Sequence, residues 1–128
     1  MILNSIKKVL YRVALLSLFY NFAVVISVVL NLDWVLTRAA GGQYESFPAW
    51  LRIMYLGIAV GTLVIARILV SLYGEEREAK QSSVARGIGW LFVLSTIAQL
   101  ISTSPDERWN AIPASLIAVA FLVAARQK

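Results

Sequence analysis

Three polar side chains stand inside long apolar stretches of this sequence, and they are its candidates for chemistry. Asn21 lies in the stretch 9–32, Arg67 in the stretch 50–73 and Gln99 in the stretch 87–103. A polar group without hydrogen bonds is costly in an apolar environment, and a charge is costlier still, so such residues usually have a specific partner or role. We therefore treat Asn21, Arg67 and Gln99 as the candidate intramembrane polar site.

The residue types leave two interpretations open for each of these side chains. The Asn21 and Gln99 amides can bond to each other across two helices, a contact worth about 0.6–2 kcal/mol in membranes. They can also line a polar pocket for a substrate or a quinone headgroup. The long side chain of Arg67 can carry its guanidinium group to water at the membrane surface. Alternatively, it can face a cavity or bind an anionic lipid headgroup.

Most catalytic chemistry is excluded by residues that the sequence lacks. It contains neither His nor Cys, which excludes imidazole bases, thiol catalysis, His-ligated haem and ordinary zinc sites. No acidic residue lies deep within an apolar stretch, whereas proton-coupled transporters usually have one there. We therefore expect no enzymatic activity, no cofactor and no metal.

The composition is that of an integral membrane protein. Hydrophobic residues make up 59% of the 128 residues and charged residues 15%, against roughly 45–50% and about 25% in soluble domains. A soluble domain of this size buries only about two-thirds of its chain surface, too little to hide so much apolar surface.

Four apolar stretches indicate the elements that must position the polar residues. A membrane-spanning helix needs about 20 mostly apolar residues, and we predict spans at about 9–32, 50–73, 87–103 and 105–125. The fold class expected is all-α, an antiparallel four-helix transmembrane bundle forming a single domain over residues 1–128. The first apolar stretch exceeds the 7–15 residues typical of a signal-peptide core, so we expect it to be retained.

Local signals predict where two helices begin or end. Gly41 and Gly42 are typical of a helix stop, so the first helix is expected to continue to about Ala40. Ser104 and Glu107 fit a capping box and Pro105 suits a first helical position, which predicts a helix start at Pro105. Pro113 lacks a backbone donor, so we expect a bend between Trp109 and Pro113.

Gly57 and Gly61 form a pair of small residues spaced four apart in the second span. Such a pair lets another helix approach closely, so we predict that both glycines face a helix rather than lipid. That helix can belong to the same chain or to a second one. Other small pairs with this spacing are Ala85 with Gly89, Ala114 with Ala118, and Ala120 with Ala124.

Two functions from different classes fit these observations. The first is a small multi-pass protein of the cell membrane that acts by helix–helix association, as an accessory subunit or a homo-oligomer, with membrane lipid as its surroundings. The alternative is a small carrier, channel or lipid- or quinone-binding protein that uses the polar residues within its spans. A nucleic-acid partner is not expected, because the net charge of +5 is spread over several short segments.

The basic residues predict that both termini are cytoplasmic. Eight of the 12 Lys and Arg residues lie in the N-terminal segment, the loop between spans two and three, and the C-terminus. Only Arg38, Arg52 and Arg108 lie on the opposite side, and basic residues favour the cytoplasmic face. Fusions to a reporter that is active only in the cytoplasm should therefore be active at both termini. Activity restricted to an exported reporter at either terminus would contradict this topology.

Overall fold

A computed structural model describes residues 2–36, 39, 44–73, 81–102 and 104–126, and the regular elements among them are all helices. Five α-helices follow one another, with one short 3-10 helix at Asp33–Val35 between the first two. They are α1 (Ile2–Val29), α2 (Ala49–Leu72), α3 (Gln81–Leu100), α4 (Pro105–Arg108) and α5 (Ala111–Ala125).

Four helical segments of the described chain are long and apolar enough to cross a membrane. They are Ser5–Val29, Ala49–Leu72, Gln81–Leu100 and Pro105–Ala125, which joins α4 to α5. Their lengths are 25, 24, 20 and 21 residues, where about 20 are needed. The all-helical class and the number of candidate spans therefore agree with the sequence prediction.

The first helix ends at Val29, so the prediction that it continues to about Ala40 is wrong. Asn31 adopts a left-handed conformation with φ of 56°. The Leu32 N–H donates to the Ser27 carbonyl at 2.9 Å, and the Asn31 N–H donates to the Val28 carbonyl at 3.0 Å. This is the Schellman arrangement that closes a helix, with Asn in the place usually held by Gly. Gly41 and Gly42, on which the prediction depended, lie outside the described residues.

The same asparagine connects the end of α1 to the start of α2. Its side-chain oxygen accepts from the Phe47 N–H at 2.9 Å, and its amide nitrogen donates to the Ser46 hydroxyl at 3.0 Å. Arg52 then donates from Nε to the Val29 carbonyl at 2.8 Å, which satisfies one of the carbonyls left open at the helix end.

The third helix begins at Gln81, before the apolar stretch predicted from residue 87. Hydropathy marks only the apolar part of a helix, so it missed the polar first turn. The Gln81 amide nitrogen donates to the Ser71 hydroxyl at 2.7 Å, which joins the start of α3 to the end of α2. The charged loop residues before Gln81, with Arg77 and Lys80, lie outside the described residues.

The predicted helix start at Pro105 is confirmed, and the helix is interrupted before Pro113. The Ser104 hydroxyl accepts from the Glu107 N–H at 3.4 Å as the N-terminal cap of α4. At Trp109 and Asn110 the α-helix gives way to turns. The Ile112 N–H donates to the Trp109 carbonyl at 3.2 Å. That bond replaces the one that Pro113 cannot make, because proline has no N–H.

Small residues bring α3 and α5 into close contact. A Cβ added at Gly89 would lie 2.7 Å from the Cγ and Cδ2 atoms of Leu122, so only glycine permits this approach. The pairs Ala85 with Gly89, Ala114 with Ala118 and Ala120 with Ala124 are buried. These are the small pairs of the third and fourth spans.

Two separate apolar clusters make up the core. The larger one is centred on α5, where Ile117 and Phe121 are almost completely buried, and it takes in Leu18 of α1 and Leu69 of α2. The smaller one joins the end of α1 to the start of α2 and contains Val24, Val28, Val35, Ala39, Phe47 and Leu51. In the most apolar part of α2, and likewise of α3, only 17% of the residues are buried, against 50% in the segment that joins α4 to α5.

The contrast between Gly89 and Gly57 yields a matched test of the α3–α5 contact. Gly89→Val should lower the thermal unfolding midpoint in detergent, because overpacking of this kind costs about 1–3 kcal/mol. Gly57→Val should leave the midpoint nearly unchanged, since no described atom lies within 4 Å of a Cβ built there. Circular dichroism on heating measures both. Equal midpoints for the two variants would contradict the proposed role of Gly89.

Candidate functional site

A cavity of about 440 Å³ lies between α1, α2 and α3, next to α4 and the turn that follows it. Its lining combines polar and apolar side chains. The polar lining residues are Asn21, Tyr55, Thr62, Ser95, Gln99, Glu107 and Asn110. The remaining lining residues are Val24, Val25, Ala39, Ile58, Gly61, Ile65, Leu91 and Phe92.

Two of the three predicted polar residues line this cavity together. Asn21 stands in the second half of α1, and Gln99 stands in the last turn of α3. Among the described residues no hydrogen bond joins the two amides. The structure therefore gives no support to a direct bond between Asn21 and Gln99 across the helices.

The side-chain oxygen of Gln99 is buried and has no hydrogen-bond partner among the described residues. Leaving a buried acceptor unpaired costs about 1–3 kcal/mol, and most buried polar atoms in folded proteins are paired. Gln99 also lines the cavity, but its oxygen has almost no accessible surface and so does not face the open space. The group that Gln99 can offer to a molecule in the cavity is therefore its amide nitrogen, which is a hydrogen-bond donor.

Three other polar groups of the lining are engaged with the protein. The Tyr20 hydroxyl donates to the Asn110 side-chain oxygen at 2.6 Å, which fixes the start of α5 on α1. The Thr62 hydroxyl donates to the Ile58 carbonyl of its own helix at 2.8 Å. Glu107 brings the single carboxylate of the lining, and its backbone N–H is taken by the Ser104 cap.

Part of the cavity lining reaches the outer surface of α2 and α3. Ile58 on α2 and Leu91 on α3 both line it, and their side chains are 42% and 56% exposed. Phe92, the neighbour of Leu91, belongs instead to the buried core around α5. The lining therefore runs from the buried core to the outer surface of these two helices.

Arg67, the third predicted site residue, does not line the cavity. Its side chain is exposed on α2. Glu75 and Glu76, the acidic residues nearest to it in the following loop, lie outside the described residues. The exposed position agrees with an arginine that extends towards water, and the structure does not bring it together with Asn21 and Gln99.

Gly57 and Gly61 do not form a close-packed seam within the described chain. A Cβ added at either residue would meet no described atom within 4 Å. Gly61 instead lines the cavity, where a side chain would take up part of the space, while Gly57 is exposed one turn earlier. Contact of this pair with a second chain stays a prediction.

Sequence reasoning missed the contributions of Tyr55, Glu107 and Asn110 to the cavity. Glu107 was explained by its capping position, and nothing in the local pattern indicated that α4 would lie over the end of the cavity. The one available signal was the position of Asn110 before Pro113 in an interrupted helix.

Two further grooves flank Trp109, with volumes of about 600 and 380 Å³. The first contains Arg108 and Ser115, each of which donates a hydrogen bond to a backbone carbonyl. Arg108 Nε donates to the Ser102 carbonyl at 2.7 Å, and the Ser115 hydroxyl donates to the Ile112 carbonyl at 2.7 Å. The second groove is almost wholly apolar. Both grooves have fewer polar side chains in their lining than the α1–α2–α3 cavity.

Comparison with protein-family models, with curated proteins and with solved structures finds no match to this chain. The arguments that follow therefore depend on the geometry of the chain itself.

Because the Gln99 oxygen is unpaired, we predict that Gln99→Leu does not lower the thermal stability of the protein. Leucine has a similar size and removes the unpaired acceptor, so the unfolding midpoint in detergent should stay level or rise. Tyr20→Phe is the control, since it removes an interhelical hydrogen bond and should cost about 0.5–1.5 kcal/mol. Thermal unfolding followed by circular dichroism measures both variants. A midpoint for Gln99→Leu as low as that of Tyr20→Phe would show that Gln99 holds helices together.

Proposed function

We propose that this chain is a multi-pass integral membrane protein that binds a small membrane-soluble molecule in the cavity between α1, α2 and α3. Its four long helical segments would form an antiparallel bundle with both termini in the cytoplasm. Contacts between opposite ends of successive helices support this arrangement. The start of α2 bonds to the end of α1 through Arg52 and Val29, and the rings of Tyr11 and Tyr73 stack at 5.2 Å.

The observation that carries the proposal is the cavity between the helices, whose lining contains the Asn21 and Gln99 amides. In the hydrocarbon region no bulk water is available to polar groups, so an amide that faces the cavity gains a hydrogen bond when a molecule with a polar group binds there. The volume of about 440 Å³ falls within the roughly 300–1,000 Å³ of typical small-molecule sites. A mostly apolar lining with a few convergent polar groups is also typical of such sites.

The lining favours binding or carriage over catalysis. Glu107 is its only charged residue, and none of the lining residues forms a nucleophile–base pair of the kind covalent catalysis requires. Binding needs only the polar recognition that the Asn21 and Gln99 amides and the Ser95 hydroxyl provide. The proposal is therefore a non-enzymatic carrier or ligand-binding membrane protein.

A second candidate function is association with other membrane helices, as a homo-oligomer or within a larger complex. The observation that favours it is the uncovered face of α2 at Gly57 and Gly61. Glycine costs about 1 kcal/mol of helix propensity relative to alanine, and helices in membranes gain most from close backbone approach. Gly89 makes such a close approach within the chain, to Leu122 of α5. Gly57 and Gly61 would make one only with a helix of another chain.

Gly57 and Gly61 allow one experiment to separate the two functions. Native mass spectrometry of the protein released from lipid nanodiscs reads both the mass of any bound molecule and the number of chains. We expect the unaltered protein and Gly57→Leu to retain a bound small molecule, and Gly61→Leu to lose it, because a leucine at 61 would fill the cavity.

The outcomes differ for the two candidates. Ligand binding predicts loss of the bound mass for Gly61→Leu alone, with the number of chains unchanged. Helix association predicts that both variants lower the number of chains. A protein that carries no bound small molecule in any form would contradict the cavity proposal.

A further inference from the structure

We infer that the molecule bound in this cavity carries a neutral carbonyl group, which accepts hydrogen bonds from Ser95 and Gln99 of α3, on an otherwise apolar body. The inference rests on the proposed binding function and names the ligand class for the same cavity. The hydrogen-bond donors of the lining select the carbonyl group, and the apolar lining selects the rest of the molecule.

Ser95 and Gln99 present two donors on one face of α3. They stand four residues apart in the helix, so their side chains lie one above the other, and both line the cavity. The hydroxyls of Thr62 and Thr96 bond back to carbonyls of their own helices. The Ser95 hydroxyl makes no such bond, has no other partner in the described part of the chain and is not fully buried. It is therefore available to a molecule in the cavity.

The orientation of the Gln99 amide makes donors exceed acceptors in the cavity. Its oxygen is turned away from the open space and its nitrogen is not among the fully buried atoms, so Gln99 offers the cavity a donor only. Asn21 on α1 and Ser95 each carry both a donor and an acceptor. The surplus in the lining is therefore a donor, which a carbonyl oxygen meets because it has two lone pairs and brings no hydrogen of its own.

Other polar groups meet this lining less well. A hydroxyl group can accept from Gln99, but its own hydrogen needs an acceptor in turn. An ammonium group has no lone pair and cannot accept from either donor. A carboxylate or a phosphate can accept, but the described lining contains no lysine or arginine, and an unpaired charge is costly in an apolar environment. A neutral carbonyl group avoids all three costs.

The rest of the molecule is apolar because the lining beyond Ser95 is apolar. One turn before Ser95, Leu91 and Phe92 line the cavity from α3, and Ile58 and Ile65 line it from α2. Hydrocarbon is the partner against which such side chains bury their surface most favourably. The carbonyl group is therefore placed beside Ser95, with the hydrocarbon part beside Leu91 and Phe92.

Two membrane components supply this chemistry, the ester group of a glycerolipid and the ring carbonyl of a quinone. They share the accepting oxygen and the apolar body, and they differ in the aromatic ring. The lining selects the shared chemistry.

Photo-crosslinking in nanodiscs of ether-linked phospholipids tests this ligand class, because such lipids bring no ester carbonyl of their own. The probe is a long-chain methyl ketone with a diazirine in its chain, and adducts are mapped by peptide mass spectrometry. We expect adducts at Ile65 and Phe92, which line the cavity. Their level should exceed that at Leu94, which is 65% exposed on α3 and reports contact with free probe.

Variants of α3 test the two donors. Ser95→Ala and Gln99→Leu should each lower the labelling at Ile65 and Phe92 about two- to tenfold, since each removes one hydrogen bond. Thr96→Val is the matched control and should leave the labelling unchanged, because the Thr96 hydroxyl bonds to its own helix. Unchanged labelling in both Ser95→Ala and Gln99→Leu would overturn the inference, as would an equal loss in Thr96→Val.

Unlabelled competitors of equal chain length then define the polar group. The methyl ketone and the methyl ester should suppress the labelling, the alcohol should do so less, and the amine and the carboxylate should not. Suppression by the alcohol, the amine or the carboxylate that equals that of the ketone would overturn the ligand class while leaving a ligand site in place.

Two further arms identify the source of the carbonyl group. Lower labelling in nanodiscs of ester-linked phospholipids supports a glycerolipid, and suppression by an alkyl benzoquinone in the ether-linked nanodiscs supports a quinone. If neither lowers the labelling, the inference is wrong, because both molecules carry the proposed group.

Failure of the underlying function gives a different result. If the ketone labels Ile65 and Phe92 no more than Leu94, or if Gly61→Leu labels as strongly as Gly57→Leu, no molecule occupies the cavity. Both the ligand class and the binding function would then be contradicted.

Discussion

The close approach of α3 to α5 at Gly89 constrains the rest of the structure. Because Gly89 has no side chain, Leu122 can lie against the backbone of α3, and alanines on both helices extend the contact. A helix can bury only part of its surface against one neighbour. Because α3 packs in this way against α5, it does not also cover α2. The space left between α1, α2 and α3 is the cavity.

Hydroxyl groups and amides behave differently in this chain. Ser17, Ser27, Thr62 and Thr96 each donate to a carbonyl one turn earlier in their own helix, which satisfies the donor without any neighbouring helix. The side chain of asparagine or glutamine carries both a donor and an acceptor. Within a helix the backbone N–H groups are already bonded to carbonyls, so the side-chain oxygen finds no donor in its own helix. The amides of Asn21 and Gln99 therefore carry the polar character of the cavity.

The sequence was sufficient for the helical class, the four candidate spans and the cap at Ser104, because each depends on residues close together in the chain. Asn21 and Gln99 were identified for a related reason, since a polar residue in an apolar stretch is visible locally. The end of α1 could not be predicted from Gly41 and Gly42, because the helix ends at Asn31, whose left-handed conformation is available to asparagine at modest cost. The role of Gly61 and the place of Glu107 depend on how three helices lie side by side, which no local pattern records.

The attachment of α2 has a mechanical consequence. Its first turns are fixed by Arg52 to the end of α1. Near its other end, the Tyr73 hydroxyl donates to the Ala120 carbonyl at 2.6 Å and Ser71 is bound by Gln81. Between these anchors stand Gly57 and Gly61, the residues that stiffen a helix least, beside open space. Bending of α2 between these two attachments, at the glycines beside open space, would therefore change the width of the cavity.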